Sequence, residues 1–167
     1  GKALASPLHW EKVLKRYPKL RLCFGHSGGE DYWFGMGSNA KYDHWGRTVA
    51  RLCREYRNVY CEFGAHADIT KARRRDLFIE RVSVEIEGSG TYAFENKILF
   101  GTDFYMPSSL QDKFLESYLQ AFQDGRLKDY QRNFFYSNAL RYLNVKKRIH
   151  DKKLPSVVRK RLKSLPD

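Results

Sequence analysis

Three short apolar runs recur along this 167-residue chain: Leu22-Cys23-Phe24-Gly25, Val59-Tyr60-Cys61-Glu62-Phe63-Gly64 and Ile98-Leu99-Phe100-Gly101-Thr102. Counted from Leu22 to Tyr60 to Ile98, the step is 38 residues both times. Runs this short and this apolar, bounded by glycine, read as buried parallel strands. Parallel neighbours require a crossover, and a strand, a helix and their loops take about 30 residues or more, so each interval holds one helix with room for longer loops. The expected fold class is therefore α/β, with three consecutive βα units forming a sector of a barrel or of a doubly wound sheet. A complete (β/α)₈ barrel takes roughly 200 residues at the least and about 250 typically, so the chain cannot hold one by itself.

A polar residue stands at the exit of the first run and another at the exit of the third, His26 and Asp103. Strand exits are where α/β proteins place their chemistry, so the two residues suggest one active site. Taken singly, a histidine after a strand is ordinarily a hydrogen-bonded structural residue, and an aspartate there commonly caps the next helix.

The segments between the runs read mainly as helices. Ser6-Pro7 opens one that carries Trp10, Val13, Leu14 and Tyr17 on one face and stops at Pro18. After His26, residues 27–45 read as a long loop rich in glycine and aromatic residues. Trp33, Phe34 and Trp45 within it are candidates for a lid or a subunit contact. Val49, Leu52, Cys53 and Tyr56 mark the next helix face. The stretch 67–87 has a mixed period and is read as helix, although Val82, Val84 and Ile86 alternate as in a strand. Ser108-Ser109-Leu110-Gln111 is a capping box ahead of a stripe of Leu110, Phe114, Tyr118 and Phe122. Two shorter helices follow, at about 127–135 and 137–143, the second capped by Ser137 or Asn138.

The formal charge of +12 is uneven: residues 146–167 hold nine Lys or Arg against two Asp. The chain is accordingly divided into a globular part, 1–145, and a basic tail, 146–167. Arg159, Lys160, Arg161 and Lys163, with Val158, Leu162 and Leu165 at helical spacing, could touch nucleic acid or an acidic membrane surface. No aromatic residue interleaves those charges, which favours a solvated helix packed on the globular part. Cys23, Cys53 and Cys61 show no CxxC spacing and read as reduced core residues. With no apolar stretch approaching ~18 residues and no signal pattern at the N-terminus, a cytoplasmic protein is the expectation.

Together these motifs resemble the amidohydrolase-related branch of the metal-dependent amidohydrolase superfamily. Trp10 through Arg21, followed by Phe24-Gly25-His26-Ser27-Gly28-Gly29, is similar to the stretch leading into and out of that family's sixth barrel strand. Asn58-Val59-Tyr60 is similar to the start of its seventh, Lys97 through Asp103 to its eighth, and Ser137-Asn138-Ala139-Leu140-Arg141-Tyr142-Leu143 to the helix that ends the barrel. The resemblance covers about residues 6–145. It implies a TIM-type (β/α)₈ fold of which this chain supplies the C-terminal portion, strands six to eight.

The resemblance also implies site roles. Asp103 would ligate a divalent metal, zinc or else manganese, and accept a proton from metal-bound water. His26 would bind a second metal or polarise and protonate the substrate. From their own places near the strand exits, and not from the resemblance, Glu30, Trp33, His66, Phe104 and Tyr105 are weaker substrate-binding candidates. The family's His-x-His pair on strand one and its strand-five histidine have no counterpart among His9, His26, His44, His66 and His150. The chain is therefore expected to be the C-terminal part of a longer protein, inactive alone and without a full metal site. Its expected partners are a small-molecule substrate, the rest of the barrel and a second copy at the exposed sheet edge. The implied activity of the intact enzyme is hydrolysis of an amide, ester or lactone. The alternatives are metal-dependent nonoxidative decarboxylation and a non-catalytic binding module with a nucleic-acid-contacting tail.

Overall fold

The computed structural model describes residues 5–35, 40–103 and 108–165. Three strands, β1 (Leu22–Phe24), β2 (Val59–Glu62) and β3 (Ile98–Leu99), form one parallel sheet in that order. Leu22 lies opposite Val59 and Cys61 opposite Ile98, so the register step is 37 residues both times, one fewer than the apolar runs suggest. The helices are α1 (Trp10–Arg16), α2 (Glu30–Phe34), α3 (Ala40–Glu55), α4 (Ala72–Glu87), α5 (Ser108–Ala121), α6 (Asn138–Leu143), α7 (Val145–Arg148) and α8 (Ser156–Lys163). Each strand is thus followed by helical crossover structure, and all three strand exits lie on one rim.

Side-chain alternation along β2 sorts its two faces. Val59, Cys61 and Phe63 are fully buried, while Tyr60 and Glu62 are only half-buried on the other face. The buried face meets an aromatic core of Trp33, Phe34, Phe78, Phe94, Tyr118, Phe122 and Phe134. Among these, the Phe122 and Phe134 rings stack with centroids 4.4 Å apart. Phe114, Tyr118 and Phe122 keep the stripe expected for α5. Val82 is buried and Val84 half-exposed, so the 67–87 stretch is helical, preceded by a 3₁₀ turn at Ala67–Thr70.

Several expectations are corrected. Residues 27–45 are not one loop: Gly29 and Gly35, both at positive φ, bracket α2, and α3 begins at Ala40. The five-residue α2 is too short to stand on propensity and is held by burial of Tyr32, Trp33 and Phe34. Trp33 and Phe34 are therefore core, not lid. The piece expected at 127–135 is a 3₁₀ turn at Lys128–Tyr130 followed by a π-turn at Asn133–Ser137. Ser137 and Asn138 both have helical dihedrals, so neither caps α6. Asn138 instead donates from Nδ2 to Glu95 O (2.8 Å) and Ile98 O (2.7 Å), tying α6 to β3. The α1 stripe is only partly covered, with Leu14 buried but Trp10 and Tyr17 exposed. In the tail, Leu162 and Leu165 turn toward Leu140 and Ile149 across a cleft between α6, α7 and α8. No helix among the described residues is long and apolar enough to cross a membrane.

Candidate active site

At the rim, among the described residues, the backbone leaves its ordinary regions four times without glycine: His26 (φ 54°), Ser27 (φ 48°), Ala65 (φ 58°) and Asp103 (φ 44°) are all left-handed. Each such residue costs of order 1–3 kcal/mol and persists only where its surroundings impose it. All three strand exits carry this feature, which marks the rim as the strained edge of the molecule.

The imposing contacts are specific. The His26 N–H donates to Glu62 Oε1 at 2.7 Å, and Ser27 Oγ donates to Glu62 O at 2.7 Å. Trp33 Nε1 donates to Ser27 O at 2.8 Å, and Gly29 N–H to His26 O at 2.7 Å. The His26 Nδ1 lies 3.0 Å from Gly64 O. A carbonyl can only accept, so Nδ1 carries the proton and Nε2 is the basic nitrogen of the neutral ring. The His26 side chain is 53% exposed and can be reached by solute.

Asp103, exposed at the exit of β3, borders the same glycine. A Cβ at Gly64 would lie 3.2 Å from Asp103 N. His26 and Asp103 therefore flank Gly64 from the neighbouring strand exits, as the parallel reading of the sequence requires. Beside His26, a recess of about 420 Å³ is lined in part by Phe24, Gly25, Asp31, Trp45 and Val49.

The remaining candidates separate. His66 is 1% exposed, its ring edge toward His26 with centroids 6.2 Å apart and its Nδ1 3.7 Å from Glu30 Oε1. Glu30 thus lies against His66. Trp33 is wholly buried and reaches the site only through Ser27 O. Phe104 and Tyr105 lie outside the described residues. The buried atoms His66 Nε2 and Tyr118 Oη find no hydrogen-bond partner among the described residues. Burial, then the nearby Glu62 and Glu30 carboxylates, pushes the Tyr118 phenol up, so it stays protonated.

Sequence reasoning missed Glu62 and Tyr118. The signal for Glu62 was a single acid inside an apolar strand run, an odd choice unless its carboxylate is used. Tyr118 sits in a helical stripe and gave no such signal. Burial also pushes the Cys23 thiol well above its ordinary range, with Cys61 and Glu62 adding to the effect. All three cysteines are free thiols, and Cys53 and Cys61 are buried in the core as expected whereas Cys23 is half-buried.

Among the described residues no group of three His, Cys, Asp or Glu side chains gathers to hold a metal ion. The described donors do not by themselves make a metal centre, and a cation held by His26 or Asp103 would need further ligands. No curated protein and no solved structure matches the chain. The sequence model of the family described as Amidohydrolase matches residues 3–145, a span that takes in all three strands and both flanks of the rim. This chain, with its parallel sheet and its imidazole and carboxylate on one rim, belongs to the amidohydrolase family.

Proposed function

We propose that the chain supplies the acid–base side of a hydrolytic active site acting on an amide, ester or lactone. The observation that carries this reading is the placement of His26 and Asp103 on either side of Gly64, each held in a left-handed conformation at a parallel strand exit. Asp103 takes the proton of the attacking water, and His26, entering as the imidazolium with both ring nitrogens protonated, gives its Nε2 proton to the departing nitrogen or oxygen, which leaves the neutral Nδ1–H ring held by the Gly64 carbonyl and reprotonated from solvent. Such transfers contribute typically about 10²–10⁴-fold in rate. The recess beside His26, with Phe24, Trp45 and Val49 in its wall, receives the apolar part of the substrate.

We further propose that β1, β2 and β3 are strands six to eight of a TIM-type barrel and that residues 146–167 are a basic tail outside it. The exposed Leu8, Trp10, Tyr17 and Leu20 support this, because Trp10 packs edge-on against Phe24 of β1 and the patch therefore borders a sheet edge. Divalent metals are general in the superfamily, and zinc or manganese bound here would draw on donors beyond the described residues.

The test is hydrolysis of a panel of aryl esters, anilides and lactones by the intact protein that carries this chain, with zinc or manganese added. His26→Asn and Asp103→Asn are each expected to lower kcat by about 10²-fold or more. Turnover that survives both substitutions unchanged would reject the assignment.

A further inference from the structure

One carboxylate sits where all three strand exits converge. Each strand run closes on Phe-Gly, at Gly25, Gly64 and Gly101, and the side chain that a Cβ at each would meet first is Glu62. At Gly25 the separation from Oε1 would be 3.6 Å and at Gly64 that from Oε2 would be 2.6 Å, whereas at Gly101 the Cβ would overlap Oε2. At Gly64 and Gly101 only a bare backbone leaves the carboxylate room, whereas at Gly25 a Cβ would make ordinary contact with it.

Glu62 is also the residue that fastens the left-handed turn. Its Oε1 accepts the His26 N–H and its main-chain oxygen accepts Ser27 Oγ–H, so one residue grips two successive strained positions. The same Oε1 lies 3.9 Å from His26 Nδ1, too far to replace Gly64 O as that nitrogen's partner. The Glu62 carboxylate therefore acts on the backbone of residue 26 and, through it, on where the ring stands.

We infer that Glu62 is the positioning residue of this site: its carboxylate, seated on the three post-strand glycines, clamps the His26–Ser27 turn and so sets the imidazole against Gly64. The functional half of this inference rests on the hydrolytic reading above, whereas the clamp itself does not.

The experiment measures hydrogen exchange of the His26 amide by NMR in this chain, with kcat and KM measured in parallel in the intact protein that carries it, for Glu62→Ala, Glu62→Gln and Gly101→Ala. A hydrogen bond to a charged acceptor contributes about 1.5–3 kcal/mol, so Glu62→Ala is expected to speed His26 exchange on the order of tenfold or more. Glu62→Gln, whose amide oxygen can still accept, should recover most of that protection, and Gly101→Ala, which displaces the carboxylate without removing it, should resemble Glu62→Ala. The kcat should fall in the same order while KM holds.

Unchanged His26 exchange in a folded Glu62→Ala protein overturns the inference. If that variant does not fold, unchanged exchange in Gly101→Ala does so. Exchange that rises while kcat stays at its original value overturns the functional half. If His26→Asn also leaves kcat unchanged, it is the hydrolytic reading that has failed.

Discussion

The two ends of the sheet are built on opposite terms. At the N-terminal end, polar groups are saturated. Lys97, only 4% exposed, donates from Nζ to Tyr56 O (3.2 Å) and Arg57 O (2.5 Å) and lies against the faces of Tyr60 and Tyr92. Asn138, fully buried, gives its amide hydrogens to Glu95 O and Ile98 O and accepts from Arg141 through Oδ1. At the C-terminal end four non-glycine residues are left-handed, and the buried His66 Nε2 and Tyr118 Oη have no partner among the described residues. Unmet hydrogen-bonding capacity in a buried group costs about 1–3 kcal/mol, so a rim that keeps it is organised for something other than stability. In barrel folds this division, with stability at one end of the strands and chemistry at the other, is general.

The contrast can be broken most decisively at the saturated end. Asn138→Ala strands the buried Ile98 carbonyl and the part-buried Glu95 carbonyl at once and is expected to cost about 2–4 kcal/mol, read as a fall in the urea midpoint at constant slope. Because Asn138 bonds the start of β3 and not its exit, kcat measured well below the melting temperature should not change. A cost below the uncertainty of the urea fit would mean that this end is not what holds β3 in place.

A smaller effect belongs to Lys97. Burial, with the nearby Arg57 charge adding to it, lowers its pKa from 10.5 to about 8. In the unfolded chain the lysine keeps its proton up to about 10.5, so between those values the unfolded state binds more protons and stability rises with pH. The expected result is an increase in the denaturation midpoint between these values, flattened in Lys97→Met. A midpoint with the same pH dependence in both proteins would show that the ammonium is not strained by its burial.

The smallest effect lies at neither end. Glu11, hydrogen-bonded to Lys15 and Arg51 on the surface, has its pKa lowered from 4.5 to about 2. Its contribution is complete above 4.5 and lost as pH falls toward 2, a slight acid-side slope that Glu11→Gln should remove. A slope equal to that of Lys97 would undo the ranking of buried over exposed groups.

Much of the frame was legible from residue order. The three apolar runs lie on the three strands because short β-rich runs bounded by glycine have few other places to go, and the stripes Val49-Leu52-Cys53 and Phe114-Tyr118-Phe122 lie on buried helix faces. The helix α2 was not legible, since its aromatic residues between glycines carry no period and only burial makes them helical. The pairing of Glu30 with His66 was equally hidden, because 36 residues separate them and only the crossover through α3 and β2 brings them together.

By itself the sequence determined the strand positions, their parallel sense and the arrival of His26 and Asp103 at one rim, since each follows from local apolar pattern and crossover length. Only tertiary structure decided the role of Glu62. The alternation of β2 turns that residue away from the core face, but three glycines from three different strands close around its carboxylate only once the strands stand in register. Register is a relation between distant segments, and no window of neighbouring residues contains it.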